Sequence, residues 1–219
     1  MKFDFRKEWW SLFIIAAAVI LSVISYPSLP ERVVSHWNFQ GQADGYTSRD
    51  FHVWFFPALL VGVYLLFRYL PKFDPKKERY QEFSGVYEIF KSLIITVLFI
   101  SYGTATIYNL GWEVNVGAII GTTVGLLMII LGNYLGKIKR NWFVGVKTPW
   151  TLSSENVWNK THRLAGYLFV VWGVSIIFCP WLSPFWASVL FIGGAILATI
   201  GTMLYSYILY RQEQRLKKS

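Results

Sequence analysis

Few residues in this chain could do acid–base or metal chemistry: three histidines, one cysteine and twelve carboxylates among 219 residues. Two groups stand out. His36, Asp44, Asp50 and His52 lie close together in sequence and are of metal-ligand type, but their spacing matches no zinc pattern. A turn-forming aspartate and a hydrogen-bonded histidine are the commoner uses of such residues. The acid–base pairs to consider are His36 with Asp44, and His162 with Glu155. No Ser/His/Asp set, no H-E-x-x-H and no Gly-x-x-x-x-Gly-Lys loop accompanies them. The lone Cys179 excludes an intrachain disulfide and a cysteine metal cluster. The residues therefore point to a protein that is not an enzyme, with no catalytic set, no metal and no cofactor. A second kind of chemistry is offered by Arg140, Lys147, Lys160 and Arg163, which could hold a phosphate, an acidic protein surface or lipid headgroups. Headgroup contacts are worth about 1 kcal/mol per cation near an anionic leaflet.

The elements that must position these residues follow from composition. The chain is 54% hydrophobic and 15% charged, against about 45–50% and about 25% for ordinary soluble domains. The excess falls in blocks, which rules out a soluble globular enzyme and a disordered chain. Six blocks, Trp9–Tyr26, Phe51–Leu70, Ile89–Leu110, Val114–Gly136, Leu164–Leu182 and Pro184–Tyr210, are each near the ~20 residues that cross a bilayer. The first block lacks a small-x-small cleavage site and reads as a retained helix. An all-α integral membrane protein of six transmembrane helices is expected, with modules over 1–113 and 114–219. Each module has three spans. A structured outer loop (27–50) belongs to the first, and a structured inner loop (137–163) to the second.

Charge placement orients the chain. The N-terminal arm, the loops after the second and fourth spans, and the tail hold 17 of the 21 Lys and Arg, against 2 in the loop after the first span. Arg68 and Lys91 complete the set at helix ends, where they can snorkel. The positive-inside rule then puts both termini in the cytoplasm. The net charge of +9 is thus mostly a topology signal, and direct nucleic-acid binding is not expected. Ten of the eleven tryptophans fall at span ends, as interfacial anchors do, with Trp172 mid-span. Gly117, Gly121 and Gly125 share one helix face and let another helix approach, within the chain or in a homodimer.

Two loops carry the detail. In the outer one, Leu29-Pro30 ends the first helix, Val33-Val34 suggests a short extended piece, and Gly41 and Asp44-Gly45 supply turns. In the inner one, Thr148-Pro149 stops any helix and Ser153 is the expected N-cap of the next. That helix places Trp158 and His162 on one face, and Glu155, Asn159 and Arg163 on another, where Asn159 could bridge the charged pair.

Leu29-Pro30 followed by His36-Trp37-Asn38, Gly41 and Asp44-Gly45 resembles the N-terminal membrane module of the SdpI family. Asn133–Leu152, with Arg140, Asn141, Gly145, Lys147, Thr148, Pro149 and Trp150, resembles the signature after that family's fourth span. So does its continuation through Trp158, Thr161, His162 and Arg163. The resemblance implies a multi-pass bacterial plasma-membrane protein that protects a cell from a secreted toxic peptide. It also implies a possible receptor role toward a cytoplasmic transcriptional repressor. The outer residues His36, Trp37, Asn38, Gly41, Asp44 and Gly45 are then the candidate toxin contacts. Asn133 and the inner residues just named are the candidates for partner binding or signalling, and anionic lipids are further partners. A small-solute or lipid transporter and a metal-dependent membrane enzyme are the alternatives. Neither inverted halves with broken helices nor a catalytic set speaks for them.

Overall fold

The computed structural model describes residues 4–38 and 40–217; Lys2 and Lys218 of the charge tally lie outside them. Among the described residues six helices are long and apolar enough to cross a membrane: Phe5–Ser28, Arg49–Phe73, Ser84–Asn109, Val116–Leu135, Glu155–Trp181 and Pro184–Leu216. They coincide with the six hydropathy blocks, extended mainly at their polar ends. The protein is an all-α, multi-pass cell-membrane protein. Its face bearing the ends of the chain is called inner here, after the charge bias.

Local chemistry starts each helix. Asp4 accepts from the N–H of Arg6 to open α1 (Phe5–Ser25), and Ser48 from that of Phe51 to open α2 (Arg49–Phe73). The outer loop between them folds as an antiparallel hairpin, β1 (Arg32–Trp37) with β2 (Ala43–Ser48). The extended piece expected at Val33-Val34 is strand β1. Its underside is apolar: Leu29 and Val33 are buried. Asn109, at the end of α3 (Ser84–Asn109), clamps the hairpin from the side. Its amide accepts from Val34 N at 2.8 Å and donates to Val34 O at 2.9 Å, as a neighbouring strand would.

Asn115 caps α4 (Val116–Leu135), and Ser154, not the expected Ser153, caps α6 (Glu155–Phe178). The displacement has a cause. Thr148 and Thr151 form a capping box that starts a five-residue helix, α5 (Pro149–Ser153), so Ser153 is already helical. Pro149 opens that helix instead of stopping one, because at the first helical position its missing N–H has no partner to lose. The last span is α7 (Pro184–Ile196) and α8 (Thr202–Leu216), joined by one π-helical turn over Leu197–Gly201.

Helices α1, α2 and α3 pack on one another, and α6 packs on α4, α7 and α8; α3 against α4 is the main helix contact between these halves. The α4–α6 seam is the most extensive. A Cβ on Gly125 would come within 2.6 Å of Gly173 O, and one on Gly132 within 2.6 Å of Gly166 O. Gly121 and Gly125 thus serve internal packing, Gly121 against Pro180. Gly117, however, meets only Asn115.

Two expectations are corrected, one about charge and one about an aromatic anchor. Arg68 and Lys91 do not snorkel. Glu8, on α1, accepts from Arg68 Nη1 at 2.8 Å and from Lys91 Nζ at 2.5 Å, and Lys91 also pairs with Glu88. Lys91 is 1% exposed and Glu8 2%, so pairing within the three-helix half replaces solvation. Trp158 is likewise no interfacial anchor, being fully buried, whereas Trp54, Trp112, Trp181 and Trp186 are exposed as anchors are.

Candidate functional site

The outer site is built on the hairpin turn. Asn38 Oδ1 accepts from the N–H groups of Gln40 (2.9 Å) and Gln42 (3.0 Å), and Gly41 takes φ +76°, which L side chains resist. Register shifts on either side of His36 set it opposite Gly45. A Cβ at that glycine would lie 2.7 Å from the His36 Cβ, so only glycine fits. Gly41 and Gly45 therefore shape the tip, and Asn38 locks it.

His36, Trp37, Asn38 and Asp44, with Gln40, form one wall of a cavity of about 580 Å³; Pro184, Phe185 and Ser188, at the start of α7, form the other. His36 Nδ1 and Asp44 Oδ1 are 2.6 Å apart and both side chains are exposed. Trp37 packs edge-on against Tyr108, which holds its ring at the cavity wall. The result is an open cleft with a polar wall and an apolar wall, at the outer end of the helices.

The other residues of metal-ligand type go elsewhere. His52 is buried and bonds Thr106 Oγ1 at 3.0 Å, and Asp50 accepts from the Tyr26 hydroxyl. Among the described residues no three His, Cys, Asp or Glu side chains converge as a metal group would require.

At the inner face the nominated residues separate into a buried knot and an exposed remainder. Asn141 is wholly buried and saturated. Its Nδ2 donates to Lys139 O and Val144 O, and its Oδ1 accepts from Phe143 N (2.8 Å) and Val144 N (2.7 Å). Asp74, from the end of α2, accepts from Trp142 N and from the Tyr80 hydroxyl, both at 2.9 Å. Burial first, then that carboxylate, holds the Tyr80 hydroxyl far above its ordinary value, so it remains a donor.

His162 stacks on Trp158 with ring centroids 4.0 Å apart, as the shared helix face implies. Its Nδ1 bonds Trp158 O and its Nε2 accepts from Val146 N at 2.9 Å, which fixes the neutral ring with the proton on Nδ1. Gly145 lies over this ring with φ +114°, and a Cβ there would come within 2.3 Å of His162 Nε2. The acid–base pair of His162 with Glu155 does not form. Nor is Glu155 bridged to Arg163: Arg79, which sequence reasoning missed, takes both its oxygens at 2.8 and 2.6 Å, and Arg140 flanks it at 3.9 Å. Arg79 lies in a different loop, out of reach of any i, i+4 argument.

The rest divide by exposure. Thr148, bonded to Ser206 Oγ at 3.0 Å, and Thr161 are buried; Arg140, donating to Leu152 O, Gly145 and Trp150 are half-buried. Asn133, Lys147, Pro149 and Arg163 are exposed.

Fold and faces together define a class: a six-span membrane protein with an ordered element on each surface. Residues 137–206 match the SdpI/YfhL protein family, and residues 13–61 match a domain of unknown function, DUF1648. Over 207 residues the chain is 28% identical to the Immunity protein SdpI of Bacillus subtilis (strain 168), covering 94% of this chain and 97% of that protein. The resemblance to the SdpI family is borne out, with the family's own match falling on the inner loop and the spans after it. No solved structure matches the chain.

Proposed function

We propose that the protein is a membrane immunity protein that shields a bacterial cell from a secreted toxic peptide, met in the outer cleft. The likeness to an immunity protein along nearly the full length of both chains supports the role. The observation that carries the site is the cleft itself. Four of the six nominated outer residues, His36, Trp37, Asn38 and Asp44, line it, and the other two shape the turn that presents them. Its mixed polar and apolar walls suit a peptide that lies at the membrane surface with one apolar face. Protection by occupying such a peptide needs no bond-making, and this non-enzymatic reading accords with His162 being committed to backbone partners. Recruitment of a cytoplasmic repressor, the second part of this reading, falls to the exposed inner residues Lys147, Pro149 and Arg163, since the buried ones already hold the loop together.

The test is survival of a toxin-sensitive strain expressing the protein and challenged with secreted candidate peptides. Wild-type expression is expected to restore growth. Trp37→Ala and His36→Ala are expected to lower protection at least several-fold at unchanged membrane level. Killing that is unchanged by the wild-type protein, for every peptide tried, overturns the reading.

A further inference from the structure

Among the described residues that line the outer cleft, Asp44 is the one carboxylate, and no lysine or arginine accompanies it. An aspartate before a glycine ordinarily serves a turn, where its oxygens accept backbone N–H groups. Asp44 does not. It lies within β2, and the turn before that strand is closed by the Asn38 side chain instead. Its Oδ1 accepts from His36 Nδ1 at 2.6 Å, and among the described residues its Oδ2 has no partner. The sequence thus spends an acidic side chain on the cleft wall, where the fold itself does not use it.

The surroundings leave that charge standing. The stretches that join the spans at the outer end, 27–50, 110–115 and 179–184, hold four carboxylates (Glu31, Asp44, Asp50 and Glu113) against two cations, Arg32 and Arg49. Both arginines are laid over rings away from the cleft lining: Arg32 over Tyr46 at 5.2 Å, and Arg49 over Tyr26 at 4.5 Å while it donates to Leu29 O. A histidine and one carboxylate fall short of the ligands a metal ion needs. The chemistry left to the pair is recognition of an organic cation. Trp37 and Phe185, one from each wall, line the same cavity, and aromatic faces attract a cation where they repel an anion. From this we infer that the cleft selects for positive charge: its occupant is an amphipathic peptide that seats a lysine or arginine side chain on the Asp44 carboxylate, with Trp37 and Phe185 beside it. Lysine and arginine are the residues that peptides lying in a membrane surface carry on their polar face. That the occupant is a toxic peptide rests on the proposed function; the charge preference does not.

Fluorescence anisotropy on the full chain in phosphatidylcholine nanodiscs tests this with two labelled probes, an amphipathic leucine/lysine peptide and its leucine/glutamine counterpart. Binding is taken in excess of that to empty nanodiscs, whose zwitterionic surface gives the cation no advantage. The lysine peptide is expected to bind at least about threefold tighter than the glutamine peptide. Asp44→Asn still accepts from His36 and so keeps the hairpin contact; it is expected to bring the lysine peptide down to the level of the glutamine one. Asp44→Lys is expected to reverse the order in favour of a leucine/glutamate peptide. A smaller lysine preference, one that Asp44→Asn leaves in place, or no binding of the lysine peptide at all overturns the inference. Survival under challenge reads the other claim separately. A protein that prefers the lysine peptide through Asp44 but protects against no secreted peptide keeps the cation site and loses the immunity reading. One that protects equally well as Asp44→Asn keeps the immunity reading and loses the cation site.

Discussion

At the level of single residues, charge and hydrogen-bond saturation decide what each polar side chain can do. Three histidines that look alike in sequence divide sharply: His36 is exposed beside Asp44, while His52 and His162 are buried with protein partners. Spacing marks Trp158 and His162 as neighbours because a helix relates them. It says nothing of Arg79 or Asp74, whose partners lie 76 and 68 positions away. The same blindness applies to Lys91, which looks like a snorkelling cation and is the centre of a buried ion group. Removing its charge leaves Glu88 without its cation and Glu8 with Arg68 alone, in a buried site. Lys91→Met is therefore expected to cost about 3–5 kcal/mol of stability. The Glu88→Gln/Lys91→Met double variant keeps the Glu8–Arg68 pair and restores neutrality, so it is expected to cost clearly less. Denaturant titration in detergent measures both, and equal losses would show that packing rather than charge balance is at stake.

Among the elements, the long helices were legible and the short ones were not. A span announces itself through some twenty consecutive apolar residues, because a bilayer solvates every face of it. Helix α5 has five residues and one capping box, so Thr148-Pro149 reads equally well as a stop or a start until the box is seen to close. The hairpin lay between: its turn residues and Val33-Val34 were visible, but not the register that sets His36 opposite Gly45. Two of the three glycines in the stripe, Gly121 and Gly125, make the close approach, since spacing shows that a helix can come near but not which glycines it uses. Gly125→Leu is expected to force α4 from α6 and lower stability by at least the ~1–3 kcal/mol typical of overpacking. Gly117→Ala, whose Cβ would make only an ordinary contact with Asn115 at 3.6 Å, is expected to be neutral within about 0.5 kcal/mol. Thermal unfolding of the two variants separates the cases, and equal losses would remove the seam from the account.

For the whole molecule, sidedness is the property that joins the fold to its proposed role. Seventeen cations against two set the orientation by sequence alone, and an even number of spans returns both ends of the chain to one face. On that orientation the hairpin and the mouth of the cleft are expected to face outward, and the knot of Asp74, Tyr80 and Asn141 to face the cytoplasm. In a Cys179→Ser background, Gln42→Cys is expected to react with a membrane-impermeant maleimide in intact cells, and Lys77→Cys only after permeabilisation. The reverse pattern would invert the molecule and remove the cleft from any secreted peptide. What composition could not convey is that the two outer walls come from opposite halves of the chain, because no local signal relates residue 36 to residue 185.

The π-helical turn at Leu197–Gly201 makes the last span two differently phased helices. One extra residue in a turn offsets everything below it by about 100°. Above the turn Gly194 faces Trp172, where a Cβ would lie within 2.1 Å of its ring. Below it Ser206 reaches Thr148, and Glu213 accepts from Ser154 Oγ at 2.6 Å, so the tail is keyed to the N-caps of both α5 and α6. Deleting a single residue from this turn would keep the span long enough to cross and leave its composition almost untouched. It would nonetheless rotate both keys out of their locks together.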